Sequence, residues 1–160
     1  MKIIKLSLSE FDAIDYDLIA IHTSLEDYRL AYFLNKKLPI LLSKSSEFIA
    51  FETQNGAAFF SKFSYLVEDT EEEWTLIENK DELIELEPMA LKDLFSEEQP
   101  KITTNVYFLP DLKKVDFLLK IENTFLDIND IVSSLNEITK ISTAYLVDLE
   151  NLKSKNNLIF

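Results

Sequence analysis

Residues 17–23 read DLIAIHT, four consecutive apolar side chains between polar ones, and such a short run predicts a buried strand. Upstream, residues 2–8 alternate, with Ile4, Leu6 and Leu8 on one side, predicting a first strand. Downstream, Ser24 offers an N-cap with Glu26 and Asp27 in the first turn, and the spacing predicts a helix from Leu25 to Pro39. Its apolar face holds Leu25, Tyr28, Ala31, Tyr32, Leu34 and Leu38, widened by Leu30 and Phe33. A helix with so broad a face is expected to be mostly buried, with Tyr28, Tyr32 and Phe33 in the core.

Segments rich in β-formers follow at 48–52, 58–67 and 74–79, and the last two read as a hairpin joined by EDTEEE. Residues 81–100 are acidic and poorly periodic; Pro88 suits the first turn of a short helix reaching Phe95. A second strand–helix–strand unit is clearer. Val115, Phe117, Leu119 and Ile121 alternate with polar residues except at Leu118, predicting a half-buried strand. Asp127 then caps a helix whose Ile128, Ile131, Val132, Leu135 and Ile138 share one face. A strand returns at 142–149, and the helical crossover predicts that it lies parallel and adjacent to 115–122. The expected fold is α+β: a mostly antiparallel sheet covered by two main helices, with two strand–helix–strand units bracketing a β-hairpin. One domain spans 1–160, with an acidic mobile excursion expected at 81–100.

Composition narrows the chemistry. At 47% hydrophobic residues the chain is rich enough in apolar groups to build a core, and no apolar run is long enough to span a bilayer. The N-terminal segment, interrupted by Lys5, does not read as a signal peptide, so a cytoplasmic address is the expectation. Without cysteine there are no disulfides, thiolate sites or cysteine nucleophiles. Of the net charge of −13, most sits in residues 68–98, where 13 acids face two lysines. No Lys/Arg cluster of the kind that neutralises phosphates stands out, so nucleic acid is not an expected partner.

Residues 109–117 read LPDLKKVDF. Pro110 has no N–H for a sheet ladder, so a strand ending at Leu109 must turn there and restart at Val115. This stretch resembles the pattern that names the bacterial IPExxxVDY proteins, a small single-domain family of unknown function. Pro110, Val115 and Asp116 match it outright, while Leu109, Asp111 and Phe117 stand where the pattern has Ile, Glu and Tyr. The segments EDYRLAYFLN at 26–35 and LKSKNNLIF at 152–160 are also similar to that family. The resemblance implies membership but no activity, cofactor or ligand. If the family's tyrosine hydroxyl were a catalytic acid, Phe117 would leave this chain inactive; a packing role tolerates the change.

Two residues are candidate catalytic groups. Asp116, with Lys114 and Lys120 expected on its side of the strand, is either a general base or a charged structural partner, and the second reading is favoured. His22 ends a buried strand before a helix N-terminus, a common ligand position in α/β proteins. As the only histidine it offers no multi-imidazole zinc site, and a satisfied structural histidine is the favoured reading. Asp12, Asp15 and Asp17 lack the ligand density and glycine turn of a calcium loop. With Gly56 the sole glycine, phosphate and dinucleotide loops of the usual form are excluded. No metal or cofactor is expected. The leading expectation is a non-catalytic interaction or adaptor module meeting a protein partner through 68–98 or the C-terminal residues. An ACT-like small-molecule sensor built on 115–149 is the alternative, and an enzyme using Asp116 and His22 the weakest. Leu158, Ile159 and Phe160 are expected to pack on their own core rather than dock elsewhere.

Overall fold

A computed structural model describes residues 14–54, 56–85 and 102–160. The predicted strand at 2–8, the predicted helix from Pro88 to Phe95, and Asp12 lie outside the described residues. Ten strands and two helices are described: β1 (Tyr16–Thr23), α1 (Asp27–Lys37), β2 (Ser43–Lys44), β3 (Ile49–Thr53), β4 (Gly56–Phe60), β5 (Lys62–Val67), β6 (Glu72–Glu78), β7 (Lys80–Glu85), β8 (Ile102–Tyr107), β9 (Phe117–Glu122), α2 (Ile128–Asn136) and β10 (Ile141–Leu146). The fold is α+β, and the main sheet has the order β10-β1-β9-β6-β5-β2. Every neighbouring pair in it is antiparallel.

The sheet is buried on both faces, which explains its inner strands β1 and β9. From β1, Ile19 and Ile21 point into a core shared with Leu30 and Leu34 of α1 and Ile131 and Leu135 of α2. Leu18 and Ala20 point the other way, into a second core with Phe60, Phe108, Leu109 and Leu158. The nearly continuous apolar run of β1 follows from these two covers. The same holds for β9, where Phe117, Leu119 and Ile121 face the helices and Leu118 faces the second layer. The strand expected at 115–122 forms, but it starts later and is buried on both faces rather than half-buried. It begins at Phe117, and Leu118 is a core residue rather than a defect.

The second cover comes from the β3–β4 hairpin, residues 108–115 and the segment 147–158. Phe51, Phe60 and Phe108 form a cluster with ring centroids 5.3–5.7 Å apart, and Phe160 meets Phe108 edge-on at 6.2 Å. The run 58–67, read as one strand, is two. It breaks at Ser61, so that β4 joins the second layer while β5 enters the main sheet. Of the excursion expected at 81–100, residues 81–85 belong to β7, which pairs antiparallel with β8. Residues 86–101 lie outside the described residues.

The β9–α2–β10 unit exists, but its strands are not neighbours. β1 lies between them, antiparallel to both, with Ile19 opposite Leu119 on one side and Leu146 on the other. A helical crossover fixes the direction of the returning strand and leaves room for a third between. Asp127 caps α2 as expected, Oδ1 accepting from the N–H groups of Asn129 (2.8 Å) and Asp130 (3.3 Å). At α1 the cap expected at Ser24 falls at Glu26, without a side-chain hydrogen bond. Thr23 takes over locally, its hydroxyl accepting from Leu25 N–H (3.1 Å) and donating to Lys140 C=O (2.7 Å). The expectation of a buried tyrosine face is also corrected. Leu30, Ala31 and Leu34 are buried and Phe33 half-buried, but Tyr28 and Tyr32 stand in solvent. Periodicity placed them near the core stripe, and two helices on a wide sheet leave the flank of α1 uncovered.

Candidate functional site

The 109–117 stretch is built as a turn held from three sides. Leu109 and Val115 anchor it in the second core, and Pro110–Leu112 forms one 3-10 turn between them. Beneath it lies Asn79, fully buried in the step between β6 and β7. Its side-chain amide donates to the carbonyls of Leu112 (2.8 Å) and Val115 (3.0 Å), and its oxygen accepts from Leu109 N–H (2.8 Å). Its backbone adds bonds to Phe108 N–H and Asp116 C=O. Nothing in the apolar pattern marks Asn79; the only signal is a lone amide between two strand-like runs.

Both acids of the turn are engaged by backbone donors. Asp111 Oδ2 accepts from the N–H groups of Lys153 (2.6 Å) and Ser154 (3.0 Å), tying the turn to the C-terminal segment. Asp116 precedes β9 and its Oδ2 accepts from Thr23 N–H (2.9 Å), closing the end of β1. The expected pairing of Asp116 with Lys114 and Lys120 is not what forms. Lys114 is exposed on the turn, and Lys120 is buried beneath the C-terminal residues. There Lys120 Nζ donates to Leu158 C=O (2.9 Å), pairs with Glu122 (3.6 Å) and lies 4.8 Å from the ring centres of both Tyr16 and Phe160. A buried ammonium needs such a set of partners, because desolvation penalises its charge. Phe117 is buried among the helix-facing residues, where a ring serves for packing.

His22 stacks on Tyr145 (centroids 5.7 Å apart, planes 27°), with Nε2 3.4 Å from the tyrosine hydroxyl. Tyr145 also forms one wall of a 320 Å³ cavity whose other wall is the turn 110–115. Asp116 and His22 thus come to adjacent backbone positions, each with a different partner. The loop 123–127, the ligand loop of an ACT-like reading, is also occupied. Asn123, in the left-handed region at φ 55°, donates to Glu71 C=O (2.9 Å), and Thr124 donates to Glu72 (2.9 Å).

Glu78 lies within electrostatic reach of three other carboxylates, those of Asp27, Asp81 and Asp116. Although Glu78 as a residue is exposed, its carboxyl is partly desolvated, and that burial raises its pKa above the ordinary range. Asp27, Asp81 and Asp116 add to the rise, and Lys44 opposes it. Because the folded state holds this proton more tightly than the unfolded chain does, ionised Glu78 destabilises the fold above its folded pKa. The penalty fades as pH falls through that value and is gone below the ordinary carboxylate range. Glu78→Gln should therefore stabilise the protein near neutral pH by about 0.5 kcal/mol, the scale of exposed charge interactions. Thermal melts at pH 7 and at about pH 4 check this, since the carboxyl regains its proton at the lower value. An equal gain at both would show that charge is not the cause.

Among the described residues, no group of three or more His, Asp or Glu side chains is arranged to hold a metal ion, and no helix is long and apolar enough to cross a membrane. Comparison of the chain with models of known protein families, with curated protein sequences and with solved structures finds no match.

Proposed function

We propose that the chain is a non-catalytic protein-interaction module of the IPExxxVDY type that residues 109–117 resemble. The observation that carries this reading is the outward flank of α1, where Tyr28 and Tyr32, one turn apart, are 59% and 61% exposed. Aromatic and arginine side chains concentrate at the centres of protein interfaces, where they supply large contact area at low entropy cost. Arg29, the chain's single arginine, and Lys36 lie on the same helix and are exposed. On a chain of net charge −13 the stretch around Tyr32 is a local cationic and aromatic stripe, with Glu26 bonded to Tyr28 at its N-terminal end, and its complement is an acidic segment bearing apolar residues.

The engagement of Asp111 and Asp116 by backbone donors supports a structural role for the motif, since a carboxylate accepting main-chain N–H groups is a fixed acceptor rather than a free base. The turn 68–71, part of the acidic segment, is exposed and is the second candidate surface. The C-terminal residues are a poorer one, because Leu158 is fully buried.

A peptide array of acidic sequences with a central Phe or Leu tests the reading. Wild type should select acidic–apolar peptides in a salt-sensitive manner, and Tyr28→Ala/Tyr32→Ala should lose them by at least about tenfold, the scale of an aromatic interface anchor, with an unchanged melt. Peptides that bind both proteins equally, or none at all, would overturn it.

A further inference from the structure

Where α1 ends, the chain leaves a 440 Å³ cavity between the last turn of that helix and the 137–140 turn that follows α2. Its volume falls within the roughly 300–1,000 Å³ range of small-molecule sites. The floor is apolar, made by the half-buried Phe33 and the buried Ile138. The rim carries Lys36, Lys37 and Lys140 against a single acid, Glu137, which is already paired with Lys37. Lys36 and Lys140 are both exposed, so their ammonium groups can turn towards a bound anion without first being dehydrated.

We propose that this cavity binds a small organic anion with an apolar body, of the chemical class of a medium-chain monocarboxylate. The apolar floor takes the hydrocarbon and the lysine rim takes the carboxylate. A neutral amphiphile gains only the floor, and a cationic one meets like charge at the rim. The C-terminal ends of both helices lie at this cavity, and their carbonyls carry partial negative charge. The anion is therefore held by the lysine side chains against the local backbone field, so that reversing those charges should remove the preference for anions altogether.

The cavity adjoins the tyrosine flank proposed above, with Lys36 at the edge of both and Tyr32 meeting Phe33 edge-on at 5.6 Å, so Tyr28 is the residue that separates the two. Sodium octanoate, octan-1-ol and octylammonium, each below its aggregation concentration, are titrated into the ¹⁵N-labelled full chain. Octanoate should give saturable shifts at Phe33 and at residues 138–140, with affinity at least about tenfold above that of octylammonium. Lys36→Glu/Lys140→Glu should reduce octanoate affinity on the order of tenfold while leaving shifts elsewhere unchanged. Tyr28→Ala, on the flank and away from the cavity lining, should leave octanoate binding intact. Equal binding of all three amphiphiles, octanoate binding that survives charge reversal, or absence of saturable shifts at these residues would overturn the proposal.

Discussion

Replacing Asn79 with alanine should destabilise the protein by about 3–5 kcal/mol, because it strips the buried Leu109 N–H and Val115 carbonyl of their partner at about 1–3 kcal/mol each and takes one of two bonds from the Leu112 carbonyl, which keeps the Val115 N–H. The side chain is fully buried, so water cannot replace what the amide supplied to Leu109, Leu112 and Val115. Loss should not stop at the turn. Residues 108–115 cover Leu18 and Leu118, and a loosened turn exposes that side of the sheet. In a domain of this size the effect corresponds to a fall of roughly 10 °C or more in the thermal midpoint. Asn79→Leu should do no better, since its size fits but its atoms satisfy none of the three groups. A melt within about 1 kcal/mol of wild type would mean that the turn finds other partners, and that Asn79 does not organise it.

Truncation after Asn157 is expected to have the next largest effect, about 3–5 kcal/mol. Burial of Leu158 accounts for about 2–3 kcal/mol of this. The remainder comes from Lys120, which loses the Leu158 carbonyl and the Phe160 ring that cover it. Ile159, at 78% exposure, should contribute little. The two parts separate in a double-mutant cycle. Lys120→Met removes the same contacts, so it should cost stability in the full chain and about 1 kcal/mol less in the truncated one. Denaturant melts of the four proteins measure this directly. If truncation leaves the melt unchanged but abolishes binding to a partner, residues 158–160 are a docking peptide rather than part of the core.

Periodicity reads the apolar half of this fold well. β1, the β5–β6 hairpin, α2 with its Asp127 cap, and the mixed helix–sheet class all follow from spacing, because each depends on side chains near in sequence. What it misreads is decided by distant partners. The neighbour of β10 is β1 rather than β9, and the second cover that makes Leu118 a core residue comes from 49–60 and 108–158. The candidate acids were legible as residues but not as roles, since Asp111 and Asp116 act on main-chain groups of Lys153, Ser154 and Thr23 that no local pattern connects to them.

Three asparagines show the same limit. Asn35 brackets Leu42, Asn136 brackets Ala144, and Asn79 holds the 109–115 turn, each offering donor and acceptor as a peptide group would. An amide at a helix end or between strands is an unremarkable residue in a linear sequence. Its meaning appears only when the chain returns beside it.

The position of β1 has a consequence for how the chain is made. It is the first described strand in sequence, yet the strands on either side of it, β9 and β10, come roughly 100 residues later or more, a separation that slows folding through loop-closure entropy. Until they emerge from the ribosome, an apolar segment with two unpaired edges waits for its neighbours. α1 can form early and shield one side through Leu30 and Leu34, but the edges remain open. The first described strand to be made is therefore among the last to be enclosed in the sheet.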